Sequence, residues 1–308
     1  MNAVDSAHLG ARPRTALPTT QQRSDGFAIA GRIAIYATLI AFALFFLAPL
    51  VVMLVTSLKP ADEIRSGTFL ALPVAPTLEA WSKAWTSACV GVNCIGVAPF
   101  YLNTFLITVP ATVLSTLIGA INGYALTQVE FRGSRFIYGL LMLGCFTPYQ
   151  GVMIPVARTL GFLDLAGSLS GLVLIHTIYG VCFTTMFFRN YFLDVPKELT
   201  RAARVDGAGF FQIFFAIMLP MSLPIMVVTV IWQFTSIWND FLFGVAFTTG
   251  ENAPIMVALN NIVNSSTGER EYNVDMAAAL LAALPTIVIY VLAGKYFIRG
   301  LMAGSVKG

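Results

Sequence analysis

The stretch ELTRAARVDGAGFFQIFFAIMLP occupies residues 198–220, between two apolar segments of the chain. Its charged first half predicts a short helix, because Glu198 lies near the N-terminus, where the helix dipole favours acids. Gly207 after Asp206 predicts the end of that helix, since glycine readily adopts the left-handed conformation found there. A second amphipathic helix follows and ends at Pro220. The pattern therefore predicts two short helices joined by a glycine turn.

The composition of the whole chain indicates a membrane protein. Of its 308 residues, 57% are apolar and only 11% are charged, whereas soluble domains carry about a quarter charged residues. So few charges cannot cover the surface of a soluble fold, and we expect an all-α polytopic membrane protein. The net charge is +3, and no basic stretch is interleaved with aromatic residues. Nucleic-acid binding therefore has no support.

Six apolar stretches reach the length of about 20 residues that a helix needs to cross a bilayer. Residues 1–26 precede them and are polar, which predicts a disordered tail and leaves 27–308 as the membrane domain. The first apolar run has no clear cleavage site, so we expect it to remain as an anchor. The predicted spans cover 31–55, 101–127, 135–157, 168–190, 221–246 and 275–297.

Lysine and arginine residues in the loops predict the orientation, because they accumulate on the cytoplasmic side. The side with more lysine and arginine residues is therefore predicted to be cytoplasmic. Both termini and the loop 191–220 lie on that side. That side carries Arg12, Arg14, Arg23, Arg32, Arg132, Arg135, Arg189, Lys197, Arg201, Arg204, Lys295, Arg299 and Lys307. The other side carries Lys59, Arg65, Lys83, Arg158 and Arg270.

The four cysteines fall into two kinds of environment. Cys89 and Cys94 lie in a polar loop that is predicted to be external, where a disulfide is one interpretation and two unrelated thiols are the other. Cys145 and Cys182 lie in apolar runs and are predicted to be inert core residues.

The stretch 198–220 resembles the EAA loop of binding-protein-dependent ABC importer permeases. That pattern is Glu-Ala-Ala, three residues, Gly, nine residues, Ile, one residue and Leu-Pro. The chain keeps every spacing, from Ala202-Ala203 through Gly207 and Ile217 to Leu219-Pro220. It departs at Arg201, which occupies the position of the motif's glutamate. The departure affects any ion pair of that glutamate, whereas Glu198 and Asp206 remain as acidic groups.

Other segments resemble the carbohydrate permeases of this family, which are maltose-type inner-membrane proteins. They are Leu102-Asn103-Thr104, Phe131-Arg132-Gly133, Pro148-Tyr149-Gln150 with Ile154-Pro155, Trp238-Asn239-Asp240-Phe241 and the C-terminal residues 300–308. The loop from Cys89 to Cys94 and Leu259-Asn260-Asn261 look most like the glucose/mannose branch.

The resemblance implies an ABC importer type I permease fold with six transmembrane helices and a cytoplasmic coupling helix. It implies a sugar substrate, such as glucose or mannose, and a bacterial inner (plasma) membrane. The expected partners are a homologous second permease, two cytoplasmic ATPase subunits, a periplasmic sugar-binding protein and membrane lipid. No Gly-x-x-x-x-Gly-Lys-[Ser/Thr] loop occurs in the chain, so ATP and Mg²⁺ are expected on the ATPase subunits and no cofactor is expected here.

Two groups of residues are candidate functional sites, and neither is catalytic. The resemblance implies that Glu198, Arg201, Ala202, Ala203, Asp206 and Gly207 contact the ATPase subunits. Polar and aromatic side chains at membrane depth suit a sugar pathway, although such groups also join helices by hydrogen bonds. The pathway candidates are Asn122, Gln150, Gln233, Trp238, Asn239 and Asp240.

An ion-coupled secondary transporter is the alternative function. Such transporters place several ionisable residues within the membrane, and the predicted spans offer only His176 and Asp240. An intramembrane enzyme is disfavoured, because Ser170 and His176 fall on different faces of one helix. His8 is the only other histidine, so no metal cluster is expected. His176 is predicted to be a hydrogen-bonded packing residue.

Overall fold

The structure is a computed structural model, and it describes residues 24–67, 71–129, 131–264 and 270–303. Residues 1–23, most of the predicted tail, lie outside the described part of the chain. The chain divides into two compact units, residues 1–52 and 53–308. The described part of the first unit belongs to helix α1 (Ser24–Ser57), an apolar helix with Pro49 inside it.

The second unit is built from helices and one small hairpin. After α1 come α2 (Ala61–Ser66), α3 (Glu79–Thr86), the strands β1 (Cys89–Val90) and β2 (Asn93–Cys94), α4 (Ala98–Gln128), α5 (Ser134–Phe146), α6 (Tyr149–Phe162), α7 (Leu169–Leu193) and α8 (Lys197–Val205). Then follow α9 (Phe210–Ile213), a π-helical turn (Phe214–Met218), α10 (Leu219–Met221), α11 (Leu223–Trp238), α12 (Leu242–Phe247), a 3-10 turn (Gly250–Asn252), α13 (Ile255–Val263) and α14 (Tyr272–Ala303).

Four described helices are long and apolar enough to cross a membrane alone, namely α1, α4, α7 and α14. The number rises to as many as six if two bent pairs each form one span. The pair α5 and α6 is bent by 102°, and the rod α9–α10 is bent by 80° against α11. The all-α architecture agrees with the sequence analysis, but the third and fifth spans are not continuous helices.

The predicted third span, 135–157, breaks at Thr147 and Pro148. Proline disfavours the helical conformation in the residue before it, and Thr147 is extended, with φ −69° and ψ 119°. The predicted fifth span, 221–246, breaks after Trp238. There Asp240 Oδ2 accepts the backbone N–H groups of Phe243 (3.1 Å) and Gly244 (3.2 Å), which starts the new helix α12.

Among the described helices, the most extensive contact joins α4 and α7. Ser115 near the middle of α4 contacts Thr184 of α7, and Gln128 at the end of α4 contacts Phe192 near the end of α7. The two helices therefore run parallel. Ser115 accepts a bond from Thr184 on its carbonyl oxygen (2.7 Å). Further along, a methyl group on Gly119 would collide with Thr184, and one on Gly123 would collide with Phe188. Glycines thus allow the two backbones to approach closely, as at many membrane helix interfaces.

The hairpin lies at the beginning of α4. Cys89 pairs with Cys94 across the two strands, and a disulfide joins their sulfur atoms. Lys83 of α3 forms an ion pair with Glu271 at the start of α14, and Trp81 donates to the hydroxyl of Ser57 (3.1 Å). The first contact joins α3 to the beginning of α14, and the second joins α3 to the end of α1.

Candidate functional site

Helix α8 is exposed over most of its surface, and it buries Thr200 against the rest of the described chain. The exposed side carries Glu198, Arg201, Ala202 and Val205, which lie three or four residues apart and therefore on one face. Val205 is 88% exposed, so this face combines charged, small and apolar groups. We call α8, the turn after it and α9 the elbow (residues 197–213). Five of the six predicted coupling residues are exposed here, and Ala203 is half-buried.

The turn after α8 is fixed by backbone hydrogen bonds. Gly207 has φ +86°, the left-handed conformation in which a side chain causes strain. Its N–H donates to the carbonyl of Arg204 (3.0 Å), and the N–H of Ala208 donates to that of Ala203 (2.9 Å). This pair of bonds defines a Schellman motif, in which glycine follows the helix cap, here Asp206. The angle at the elbow is therefore set locally.

The second half of the loop forms a rod that enters the core. The prediction ended this helix at Pro220, whereas the rod continues to Met221 and contains a π-helical turn just before the proline. A proline cannot donate the usual helical hydrogen bond, and π-turns accommodate such irregularities. Phe214 and Met218 are fully buried against Tyr124 of α4 and its neighbours. The rod is thus packed along α4 and α7.

A cavity of about 710 Å³ opens at the bend between α5 and α6. Its wall combines aromatic rings with amide, hydroxyl, imidazole and carboxylate groups. None of the described side chains that line it is a lysine or an arginine. The lining consists of Cys145, Thr147, Tyr149, His176, Tyr179, Gly180, Phe183, Trp232, Gln233, Ser236, Ile237, Asn239, Asp240, Phe241, Leu242 and Phe243.

Three pathway candidates, Gln233, Asn239 and Asp240, line this cavity, and His176 lines it as well. Nε2 of His176 lies 3.7 Å from Oδ2 of Asp240, and its ring packs edge-on against Phe243 at 5.4 Å. Gln233 donates to the carbonyl of His176 at 3.4 Å, while its side-chain oxygen is buried without a hydrogen bond from the described residues. Asn239 is exposed on the same wall. The wall thus offers a carboxylate and free amide atoms to a polar ligand.

The other three pathway candidates lie outside the cavity. Trp238 is fully buried and donates to the carbonyl of Ala282 at 2.8 Å, so it belongs to the core between α11 and α14. Asn122 donates to the hydroxyl of Thr185 at 3.3 Å and joins α4 to α7. Gln150 is exposed at the start of α6 and does not line the cavity.

Sequence reasoning missed two features of these membrane helices. The aromatic wall around Phe243, with Tyr149 at 5.6 Å and Tyr179 at 5.2 Å, comes from separate helices and has no local signal. Asp275 begins the predicted sixth span and was not counted as an acid there, yet it lies in the first turn of α14. Its carboxylate accepts from Arg270 at 3.3 Å. In the described part of the chain, no three His, Cys, Asp or Glu side chains converge as metal ligands.

The chain matches the family model described as binding-protein-dependent transport system inner membrane component, over residues 115–301. A probable ABC transporter permease protein of Pyrococcus horikoshii is 38% identical over 278 residues, which cover 90% of this chain and 98% of the relative. The xylose/arabinose import permease protein of Haloferax volcanii is 31% identical over 290 residues, covering 88% and 92%.

The fold resembles a solved bacterial ABC transporter involved in the import of the acidic polysaccharide alginate. The TM-score is 0.73 at 22% identity, and the match covers 92% of this chain and 100% of the solved chain. This likeness confirms the predicted permease fold. Because the relatives are permeases, the prediction of a transport subunit rather than an enzyme is confirmed as well.

Proposed function

The chain belongs to the family of binding-protein-dependent transport system inner membrane components, and we propose that it moves a sugar through a bacterial inner membrane. In this proposal the chain is one permease subunit of an ABC importer. A second permease, two cytoplasmic ATPase subunits and a periplasmic sugar-binding protein complete the complex. ATP and Mg²⁺ bind the ATPase subunits, and both termini of this chain face the cytoplasm.

The exposed face of α8 is the observation that carries this proposal. A movement of an ATPase subunit reaches the membrane helices only if the segment between them is rigid. The Schellman turn at Gly207 fixes the angle between α8 and α9. Glu198, Arg201 and Ala202 lie on the exposed face, next to the apolar side chain of Val205. Such a short mixed surface suits insertion into a cleft of an ATPase subunit. The departure at Arg201 leaves this geometry intact.

The composition and size of the cavity support a sugar as the substrate. Binding sites for small molecules measure about 300–1,000 Å³ and combine apolar walls with a few polar groups. Here aromatic rings such as Phe243 supply stacking surfaces, while Gln233, Asn239 and Asp240 supply hydrogen bonds. We propose a monosaccharide, with glucose and mannose as the first candidates. The name of the Haloferax relative supports a test of xylose and arabinose beside them.

The proposal is tested by purifying the chain with its partner subunits and measuring ATP hydrolysis in proteoliposomes. We expect hydrolysis to rise when the binding protein and glucose or mannose are added, and labelled sugar to enter only with ATP. Val205→Cys on the exposed face should crosslink to an ATPase subunit. Val195→Cys, whose side chain is buried, is the matched control. The absence of any crosslink from Val205→Cys, or uptake by the isolated chain, would refute the proposal.

A second candidate, ion-coupled transport, is favoured by one observation. The pair of His176 and Asp240 on the cavity wall is the kind of group that carries protons in secondary transporters. The two functions differ in their energy source. A protonophore would abolish ion-coupled uptake and leave ATP-driven uptake into proteoliposomes unchanged.

A further inference from the structure

Gln128, the last residue of α4, is buried among three helix ends. Its side-chain nitrogen donates to the carbonyls of Phe192 (2.9 Å) and Val195 (3.3 Å), at the corner between α7 and α8. Its side-chain oxygen lies 3.3 Å from the hydroxyl of Thr200 in α8. Thr200 is buried as well, and its one hydroxyl hydrogen is shared with the carbonyl of Lys197 at 3.0 Å.

The backbone of Gln128 makes a further bond to α8. Its carbonyl accepts a hydrogen bond from Nη2 of Arg204 at 3.1 Å. The carbonyls in the last turn of a helix have no partner within the helix, and the dipole there favours a cation. Thr200 and Arg204 are one turn apart on α8. Two successive turns of α8 are therefore bound to the same residue of α4.

We propose that Gln128 is a positioning residue that fastens α8 to α4 and α7 and so carries ATPase movement to these helices. This inference rests on the proposed function, because it requires α8 to contact the ATPase. Gln128 is only 5% exposed and Thr200 only 1%. Neither side chain can reach a partner protein, so both act through the position of α8.

The contact between α4 and α7 extends this connection to the cavity. The two helices lie close together at Gly119 and Gly123, so a displacement at their ends moves both. Helix α7 carries His176, Tyr179 and Gly180, which line the cavity. A pull on α8 therefore reaches one cavity wall through Gln128.

The test uses the full complex of this chain with its second permease and ATPase subunits in proteoliposomes. One readout is the rate of ATP hydrolysis. The other is the rate at which N-ethylmaleimide labels Cys145, with and without ATP and vanadate. The sequence predicts an inert core residue there, whereas the structure places this thiol, half-buried, on the cavity wall. Cys182 is replaced by alanine in every variant, since it is the other free cysteine. The ratio of these two labelling rates measures how strongly the ATPase subunits change the exposure of the cavity wall, and the measurement needs no sugar.

We expect Gln128→Leu and Thr200→Val to leave ATP hydrolysis within about twofold of the Cys182→Ala parent. The ATP-dependent labelling ratio should fall at least about fivefold, the lower limit for leaving one buried polar group unpaired. Thr200→Ser keeps the hydroxyl and should restore the ratio. The control is Thr127→Val, since the hydroxyl of Thr127 is buried and, among the described residues, bonds only to the α4 carbonyls of Gly123 (2.7 Å) and Tyr124 (3.3 Å).

An unchanged labelling ratio in both Gln128→Leu and Thr200→Val would overturn the inference. So would an equal fall in Thr127→Val, because it would mean general damage to α4. If Gln128→Leu does not assemble, the comparison of Thr200→Val with Thr200→Ser decides. A Cys182→Ala parent without any ATP-dependent labelling would instead refute the proposed function, and the inference with it.

Discussion

The elbow and the cavity differ in how the sequence encodes them. The elbow is formed by neighbouring residues, and its decisive bonds join positions three or five apart, namely Arg204 with Gly207 and Ala203 with Ala208. The cavity gathers side chains from three distant segments, 145–149, 176–183 and 232–243. A local motif depends on a single backbone conformation, whereas an assembled wall shares its contacts among many side chains. We therefore expect one backbone change to break the elbow and side-chain changes to alter the cavity by degrees.

The largest effect is expected for Gly207→Pro, which should abolish ATP-driven uptake. Proline fixes φ near −65° and has no N–H, whereas Gly207 has φ +86° and donates to Arg204. The conflict costs about 3 kcal/mol or more, enough to reorient α8. Uptake of labelled sugar into proteoliposomes is the measurement. Gly209→Ala is the control, because its φ of −77° suits any residue and its surroundings are open. Normal uptake by Gly207→Pro would contradict the role of the elbow.

A smaller but still large loss is expected for Asp240→Leu on the cavity wall. The leucine leaves the N–H groups of Phe243 and Gly244 without their acceptor and removes the partner of His176. Unpaired buried groups cost about 1–3 kcal/mol, so uptake should fall about 5- to 150-fold. Asp240→Asn keeps an acceptor oxygen and should be milder. Equal uptake by the leucine variant and the wild type would show that the wall does not depend on this carboxylate.

A moderate effect is expected for Gly180→Ala, which tests how closely the cavity wall is packed. A methyl group on Gly180 would overlap the amide of Gln233 and the side chain of Ser115. Overpacking costs about 1–3 kcal/mol, which should lower the melting temperature of the complex and its uptake. Gly151→Ala in α6 is the control, since a methyl group there meets no neighbouring atom. The same melting temperature in both variants would refute close packing at Gly180.

The elbow could be predicted from the sequence because its determinants are local. Asp206-Gly207 predicts the helix end, and the structure has it there. The shared exposed face of Glu198, Arg201 and Ala202 likewise depends only on their spacing of three or four residues within one helix. The fold class followed from composition and the lengths of apolar segments. The elbow thus depends on residues within a few turns of each other, and the fold class depends on composition, so neither requires knowledge of how distant helices pack.

The cavity could not be predicted, because its geometry depends on where helices bend and meet. Apolar length alone predicts a straight third span, and Pro148 does not reveal that the bend would reach 102°. The distance between His176 and Asp240 depends on how α7 packs against the end of α11. The position of Trp238 depends on tertiary packing in the same way. Its residue type and depth suggested a pathway, and tertiary packing placed it in the core.

The smallest effect is expected for Asn122→Val. This variant tests whether the contacts of a polar residue in the membrane, rather than its residue type, decide between joining helices and lining the sugar pathway. Asn122 bonds to Thr185 at 3.3 Å across α4 and α7 and does not line the cavity. Interhelical bonds of this kind contribute about 0.6 kcal/mol on average. The variant should lose a little thermal stability and keep the wild-type KM for the transported sugar. Thr185→Val should have the same effect, and the double variant should lose less than the sum of the two. A raised KM in Asn122→Val would instead place this amide in the sugar's path and extend the cavity beyond the walls described above.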